Sequence, residues 1–173
     1  EMAIQYYWHR DGIKKKMETL IKWLLTTGTG AFHTYYDPDD GHVTTRVYGS
    51  YDIFFEKGVI SPDDSRWIAL RSFSTKDELK DLYPEHAKEI SEMSTDSEDN
   101  YGLISSGTTG EPPKDRVELF EIYWRDGRHA IVVGATYLHK GKWKTKTYPV
   151  QIIRYTEVPR RLWGLSMLAP ALD

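Results

Sequence analysis

The stretch GTGAFHTYYDPDDGHVTTRVYG, Gly28 to Gly49, decides how the rest of the chain is read. Gly28-Thr29-Gly30 closes a helical pattern, because glycine readily takes the left-handed conformation that ends many helices. Phe32 to Tyr36 and Val43 to Tyr48 are rich in β-branched and aromatic residues, which predicts two strands of a hairpin. Between them, Asp37-Pro38-Asp39-Asp40-Gly41 is built for a turn. Proline presets its own φ, aspartates bond nearby backbone donors, and glycine accepts a positive φ. The three aspartates also suggest calcium, but an EF-hand loop needs a glutamate at its twelfth position, where Tyr48 stands. No metal is expected here.

Beyond the hairpin, Tyr51-Asp52-Ile53-Phe54-Phe55 leads to Ser61-Pro62-Asp63-Asp64, a pattern that predicts a capped single turn. Trp67 to Phe73 reads as a further strand, so the organised region extends from Gly28 to Phe73. Ser74 or Thr75 then caps a helix, with Glu78 at the capping-box position and Leu79, Leu82 and Tyr83 on one side. Pro84 starts a new segment or kinks this one, and the helical pattern to Met93 is strongly acidic. Upstream, Ile13, Met17, Leu20, Ile21, Leu24 and Leu25 recur at helical spacing, and Gly12 separates them from an earlier helix. Residues 94–115 are dominated by Ser, Thr, Asp, Glu, Gly and Pro and read as a loop or linker. From Arg116 the chain is nearly all strand: Val117 to Trp124, a tight turn at Asp126-Gly127, then Ala130 to Leu138. Lys140-Gly141-Lys142 predicts another turn, and Trp143 to Tyr155 a continuation of the meander with Pro149 at an edge or bulge. The expected fold is α+β: an N-terminal helix, a small mostly antiparallel sheet, an acidic helix, then a β-rich part. The expected regions are 1–93, a linker 94–115, and 116–173.

Composition narrows the function classes. The 173 residues are 39% hydrophobic and 13% aromatic, enough for a packed core. A net charge of -3 argues against a surface that grips nucleic acid all over. The chain has no cysteine, which excludes disulfides, zinc-thiolate sites and thiol nucleophiles. No apolar run reaches the roughly 20 residues of a membrane-spanning helix. Glu1 opens a polar helical stretch rather than a basic leader, and the start without Met and the stop at Asp173 predict a piece of a longer protein.

Signals for chemistry are few. Ser105-Ser106-Gly107-Thr108-Thr109-Gly110-Glu111-Pro112-Pro113-Lys114 resembles the phosphate loop of adenylate-forming enzymes, whose backbone amides and lysine would cradle ATP. An extra proline before Lys114, Asp115 in place of the next glycine, and acidic flanks depart from that pattern. The six histidines, His9, His33, His42, His86, His129 and His139, are scattered and read as surface or strand-end residues. Lys140, Lys142, Lys144 and Lys146 alternate along one strand face around Trp143. They could meet phosphates or an acidic partner; an exposed hairpin guarded against edge pairing is the alternative.

The order of these signals resembles that of tailed-bacteriophage portal proteins. The matching blocks are Gly28-Thr29-Gly30, Asp37-Pro38-Asp39-Asp40-Gly41, Tyr51-Asp52-Ile53-Phe54, Ser65-Arg66-Trp67, and Thr75 to Pro84 with its Glu78-Leu79 and Tyr83-Pro84 pairs. Val117 to Arg125 and Leu162-Trp163-Gly164-Leu165-Ser166 follow in the same order. The resemblance implies a structural, non-catalytic subunit without cofactor, covering a wing-like region and a clip-like region. It implies a ring, typically of twelve copies, at one capsid vertex in the virion, assembled in the host cytoplasm. Double-stranded DNA would pass through it without sequence preference, while terminase and head-tail adaptor proteins dock outside. Two other readings are a nucleotide-binding fragment using Ser105 to Lys114 and a stand-alone protein-interaction module.

Overall fold

The fold is described from a computed structural model, over residues 2–37, 41–93, 116–143 and 147–169. Helix α1 (Met2–Arg10) is followed by α2 (Ile13–Thr27), with Gly12 in the left-handed region between them. Strands β1 (Thr29–Asp37) and β2 (His42–Gly49) form the expected hairpin, paired from Gly30↔Gly49 to Asp37↔His42. The proposed turn residues 38–40 lie outside the described residues. Next come β3 (Ile53–Phe55), a 3₁₀ turn at Pro62–Asp64, and β4 (Trp67–Thr75). Ser61 precedes that turn but makes no side-chain capping bond, unlike the expectation; Pro62 alone presets its start.

Thr75 caps α3 (Lys76–Leu82) in a complete capping box: its hydroxyl accepts from the Glu78 amide at 3.3 Å, and the Glu78 carboxylate accepts from the Thr75 amide at 2.9 Å. Pro84 opens a 3₁₀ turn that leads into α4 (Ala87–Glu92). Leu79 and Ile90 point inward, whereas Leu82 is exposed, a correction to the sequence expectation. The linker reading of 94–115 falls outside the described residues.

After them run β5 (Arg116–Trp124), β6 (Arg128–Val133), β7 (Thr136–Lys142) and β8 (Val150–Arg154). Two expectations are corrected here. The apolar run Ala130–Leu138 is two strands, because Gly134 at φ 56° breaks it into a hairpin. Lys140-Gly141-Lys142 is therefore strand rather than turn, paired with Arg128, His129 and Ala130. The register shifts between Ile131 and Val132, leaving Leu138 as an extra residue of β7 that is buried.

Among the described residues all strand pairing is antiparallel, in two sheets ordered β2-β1-β8 and β3-β4-β5-β6-β7. The α+β expectation, with a small sheet and a β-rich part, matches this architecture. The regions read on either side of residues 94–115 share both sheets. β4 pairs with β5 along its whole length, from Trp67↔Trp124 to Thr75↔Arg116. β8 does not continue the meander but crosses to the first sheet, where Ile152 pairs with Ala31. Pro149 stands just before it and accepts from the Thr34 amide at 3.0 Å, consistent with an edge position.

Burial follows the strand alternation. Ala31 and Tyr48 of the small sheet pack against Ile53, Ile68, Leu70 and Tyr123 of the large one. A second cluster, Leu79, Ile90, Val117, Val133 and Leu138, seats α3 and α4 on the same face farther along. Helix α2 covers the outer face of the small sheet with Leu20 and Trp23. Its inward side is rotated from the expected stripe: Met17 and Ile21 are exposed, and Trp23 turns in instead. The reason is local, since a Cβ on Gly49 would lie 2.5 Å from the Trp23 ring. Gly28, at φ 82°, ends α2 with its amide on the Leu24 carbonyl, and any side chain there would strike the backbone of Gly164 and Leu165.

Candidate functional site

The densest gathering of titratable groups lies between the two sheets. Alternation turns His33 and Tyr35 of β1 toward the large sheet, and Glu121 and Tyr123 of β5 toward the small one. His129 pairs across from Tyr123 on β6 and stacks on its ring at 4.6 Å. The Tyr123 hydroxyl donates to Glu121 Oε1 at 2.5 Å, and His129 Nε2 donates to the same oxygen at 3.0 Å. Having spent its proton on the carboxylate, the Tyr123 hydroxyl accepts from His33 Nε2 at 2.9 Å. His33 is thereby the Nε2-protonated tautomer. Its Nδ1 is left without a hydrogen-bond partner, 3.9 Å from Glu121 Oε2.

Electrostatics follow from enclosure. Burial lowers the His33 imidazole to about 4, against a raising influence from Glu121, so the ring is neutral at pH 7. Burial would raise Glu121, but the His129 hydrogen bond, the neighbouring His33 and the Tyr123 hydroxyl more than offset it, and the carboxyl lies below its ordinary value. Desolvation, then the Glu121 charge, raises the Tyr123 phenol. Burial and Glu121 push Tyr48 up to about 12 despite the Arg46 guanidinium beside it. The Arg46 guanidinium also lies 5.2 Å from the centre of the Tyr35 ring.

A neutral imidazole, a phenol and a carboxylate in series resemble a proton relay, yet His33 is wholly buried. Three cavities among the described residues open elsewhere. One of about 480 Å³ is lined by Arg66, Trp67, Trp124, Arg125, Asp126 and Arg128 at the β5–β6 turn. A second, about 600 Å³, lies between α2 and β2, with Lys15, Lys16, Thr44 and Arg46 on its walls. A third, about 310 Å³, includes Asp63, Arg125 and Tyr148. None of these linings contains His33, Glu121 or Tyr123. The relay-like chain works instead as an inter-sheet latch, a buried polar network whose hydrogen bonds fix how the sheets stack and in which His33 Nδ1, unlike His33 Nε2, has no partner.

The sequence reading missed this cluster. His33, expected at a surface or strand end, is buried, and His129 and His139 come within 5.7 Å of each other between ring centres. Alternation around His33 is a sequence signal for its inward direction, but its partner Tyr123 lies 90 positions away. Among the described residues no group of three His, Asp or Glu side chains could hold a metal ion. The four lysines are placed in part. Lys140 and Lys142 stand exposed on β7, an edge strand of the large sheet, with Lys140 Nζ 4.0 Å from the Tyr137 ring centre. Lys144, Lys146 and the Ser105–Lys114 loop lie outside the described residues.

No protein-family model matches the chain, and no curated protein matches it. The fold defines an α+β protein of two stacked antiparallel sheets.

Proposed function

We propose that the chain is a structural subunit of a ring-shaped portal, the head-tail connector of a tailed bacteriophage. It carries no catalysis and no cofactor of its own. In the virion the ring would occupy a capsid vertex, passing double-stranded DNA and docking terminase and tail adaptors. The observation that carries this reading is where the resemblance-bearing blocks fall in the fold. Gly28-Thr29-Gly30 meets Leu162 to Ser166: the Gly164 amide donates to Thr29 Oγ1 at 2.8 Å, and the Tyr155 amide to the Gly28 carbonyl at 2.9 Å. The Ser65-Arg66-Trp67 block meets Val117 to Arg125, with the Arg125 amide on the Arg66 carbonyl at 2.9 Å. Thr75 and Glu78 form the capping box. These residues thus specify joints between elements, as suits a protein whose work is positional.

Electron microscopy of the full-length protein tests it: rings with a central hole are expected, and a monomer at every concentration would refute the proposal. ATP calorimetry addresses the competing enzyme reading. Tight binding abolished by Lys114→Ala would favour a nucleotide site instead.

A further inference from the structure

Both hydrophobic clusters use one face of the large sheet. The opposite face carries Phe54, Trp67, Phe120, Trp124 and Tyr137, with Ala69 and Ala130 beneath them. Phe54 and Tyr137 are exposed, and the ring contacts run within the face: Phe54 on Phe120 at 5.7 Å, Arg128 over Trp124 at 5.2 Å. Around the rings stand Arg71, Arg116, Arg128, Lys140 and Lys142, against Glu118 as the one carboxylate that the described strands place there. Asp52 and Glu118 pair with Arg71, and Asp126 with Arg128; Lys140 and Lys142 make no ion pair with any described residue. A basic, aromatic face on a chain of net charge -3 is a segregated feature.

The same chain carries its complement. Residues 76–92 hold six acids (Asp77, Glu78, Asp81, Glu85, Glu89 and Glu92) against three lysines. In their midst Leu82 projects with 57% of its surface exposed, flanked by exposed Asp81 and Glu85. Inward-facing Leu79 and Ile90 fix this orientation. An apolar knob in an acidic rim matches an aromatic floor in a basic rim. Five strands at about 4.8 Å spacing and roughly seven residues' length give the sheet face ~550 Å² in projection. That suffices for the heart of a standard interface of ~800 Å² per partner.

The geometry points to a heterologous contact between copies of this chain, in which the acidic α3–α4 face of one, led by Leu82, docks on the aromatic and basic face of the large sheet of the next, where Phe54, Tyr137, Lys140 and Lys142 are exposed. This contact rests on the portal reading and names which faces join neighbours. Two different patches meet, so the association propagates from copy to copy and closes into a ring when the rotation permits.

The test uses two full-length charge-reversal variants, Lys140→Glu/Lys142→Glu on the sheet and Asp81→Lys/Glu85→Lys on the helices. All four positions are exposed. Circular dichroism and melting confirm that each variant folds. By light scattering and electron microscopy the wild type is expected to assemble, and each variant alone to be monomeric, with at least tenfold weaker association. Mixed one to one, the two variants regain assembly, because every contact in an alternating ring again joins opposite charges. Rings formed by both variants alone would overturn this contact and leave the portal reading standing. A wild type that never assembles overturns both. A monomeric wild type that instead binds a labelled single-stranded oligonucleotide, and loses it in Lys140→Glu/Lys142→Glu, assigns the sheet face to nucleic acid and overturns the contact.

Discussion

The inter-sheet latch makes stability depend on pH in a way that one histidine should dominate. His33 has an ordinary value of 6.5 and a folded value of about 4. Below pH 6.5 the unfolded chain takes up a proton that the folded chain refuses, so stability falls as pH drops and the loss is complete near pH 4. The difference of about 2.5 pH units, at ~1.4 kcal/mol per unit, amounts to roughly 3 kcal/mol. Against the ~5–15 kcal/mol of a typical domain this is a large share. Glu121 works in the same direction but lower down. Its folded value is depressed, so its contribution persists until pH falls below the ordinary carboxylate range. Asp52, raised by burial although the Arg71 hydrogen bond and charge oppose it, has the opposite sign. Urea unfolding followed by tryptophan fluorescence at pH 7 and pH 4.5 isolates His33 when the wild type is compared with His33→Gln. Glutamine keeps an amide donor for Tyr123 but cannot titrate. The wild type should lose about 2–3 kcal/mol more than the variant over that interval. Equal pH slopes for the two proteins would mean that His33 takes up its proton at the same pH in the folded and unfolded chains, and the latch argument would fail.

Other substitutions probe the joints. Gly28→Ala puts a Cβ at a positive φ and against the Gly164–Leu165 backbone, and should cost several kcal/mol or prevent folding, read by thermal melting. Thr75→Ala removes the capping hydroxyl and should lower stability by about 1 kcal/mol, with Thr75→Ser restoring most of it. Leu79→Ala empties a buried site beneath Val117 and should cost about 2–5 kcal/mol, whereas Leu82→Ala, at an exposed position, should change monomer stability by less than about 0.5 kcal/mol.

What could be read from sequence follows the range of the interactions. The hairpin from Thr29 to Gly49, the stop at Gly28 and the Thr75–Glu78 capping box are set by neighbours within a few residues, and each stands where its local chemistry puts it. Ala130 to Leu138 misled because an unbroken apolar run satisfies one long strand as well as two short ones; Gly134 decides between them. Glycine between lysines at 140–142 suggested a turn, but pairing with β6 overrides local preference. Trp23 and Leu82 exchanged their expected roles because the space at Gly49 and the packing of Leu79 choose which face turns inward. Most hidden was the latch, whose members only the stacking of two sheets brings together.

The return of β8 to the first sheet has a consequence for biosynthesis. Thr29 and Gly164 are bonded across 135 positions, and β1 receives its second neighbour only from Val150–Arg154. While the ribosome is still making the middle of the chain, the hairpin has helix α2 on one side and an unpaired strand edge on the other. His33 then lacks Tyr123 and stays open to water and to protons. Closure of the first sheet must therefore wait for β8 to emerge, and such long-range pairing folds slowly. An emerging chain with an exposed β1 edge is the stage at which mispairing between nascent copies would compete with folding.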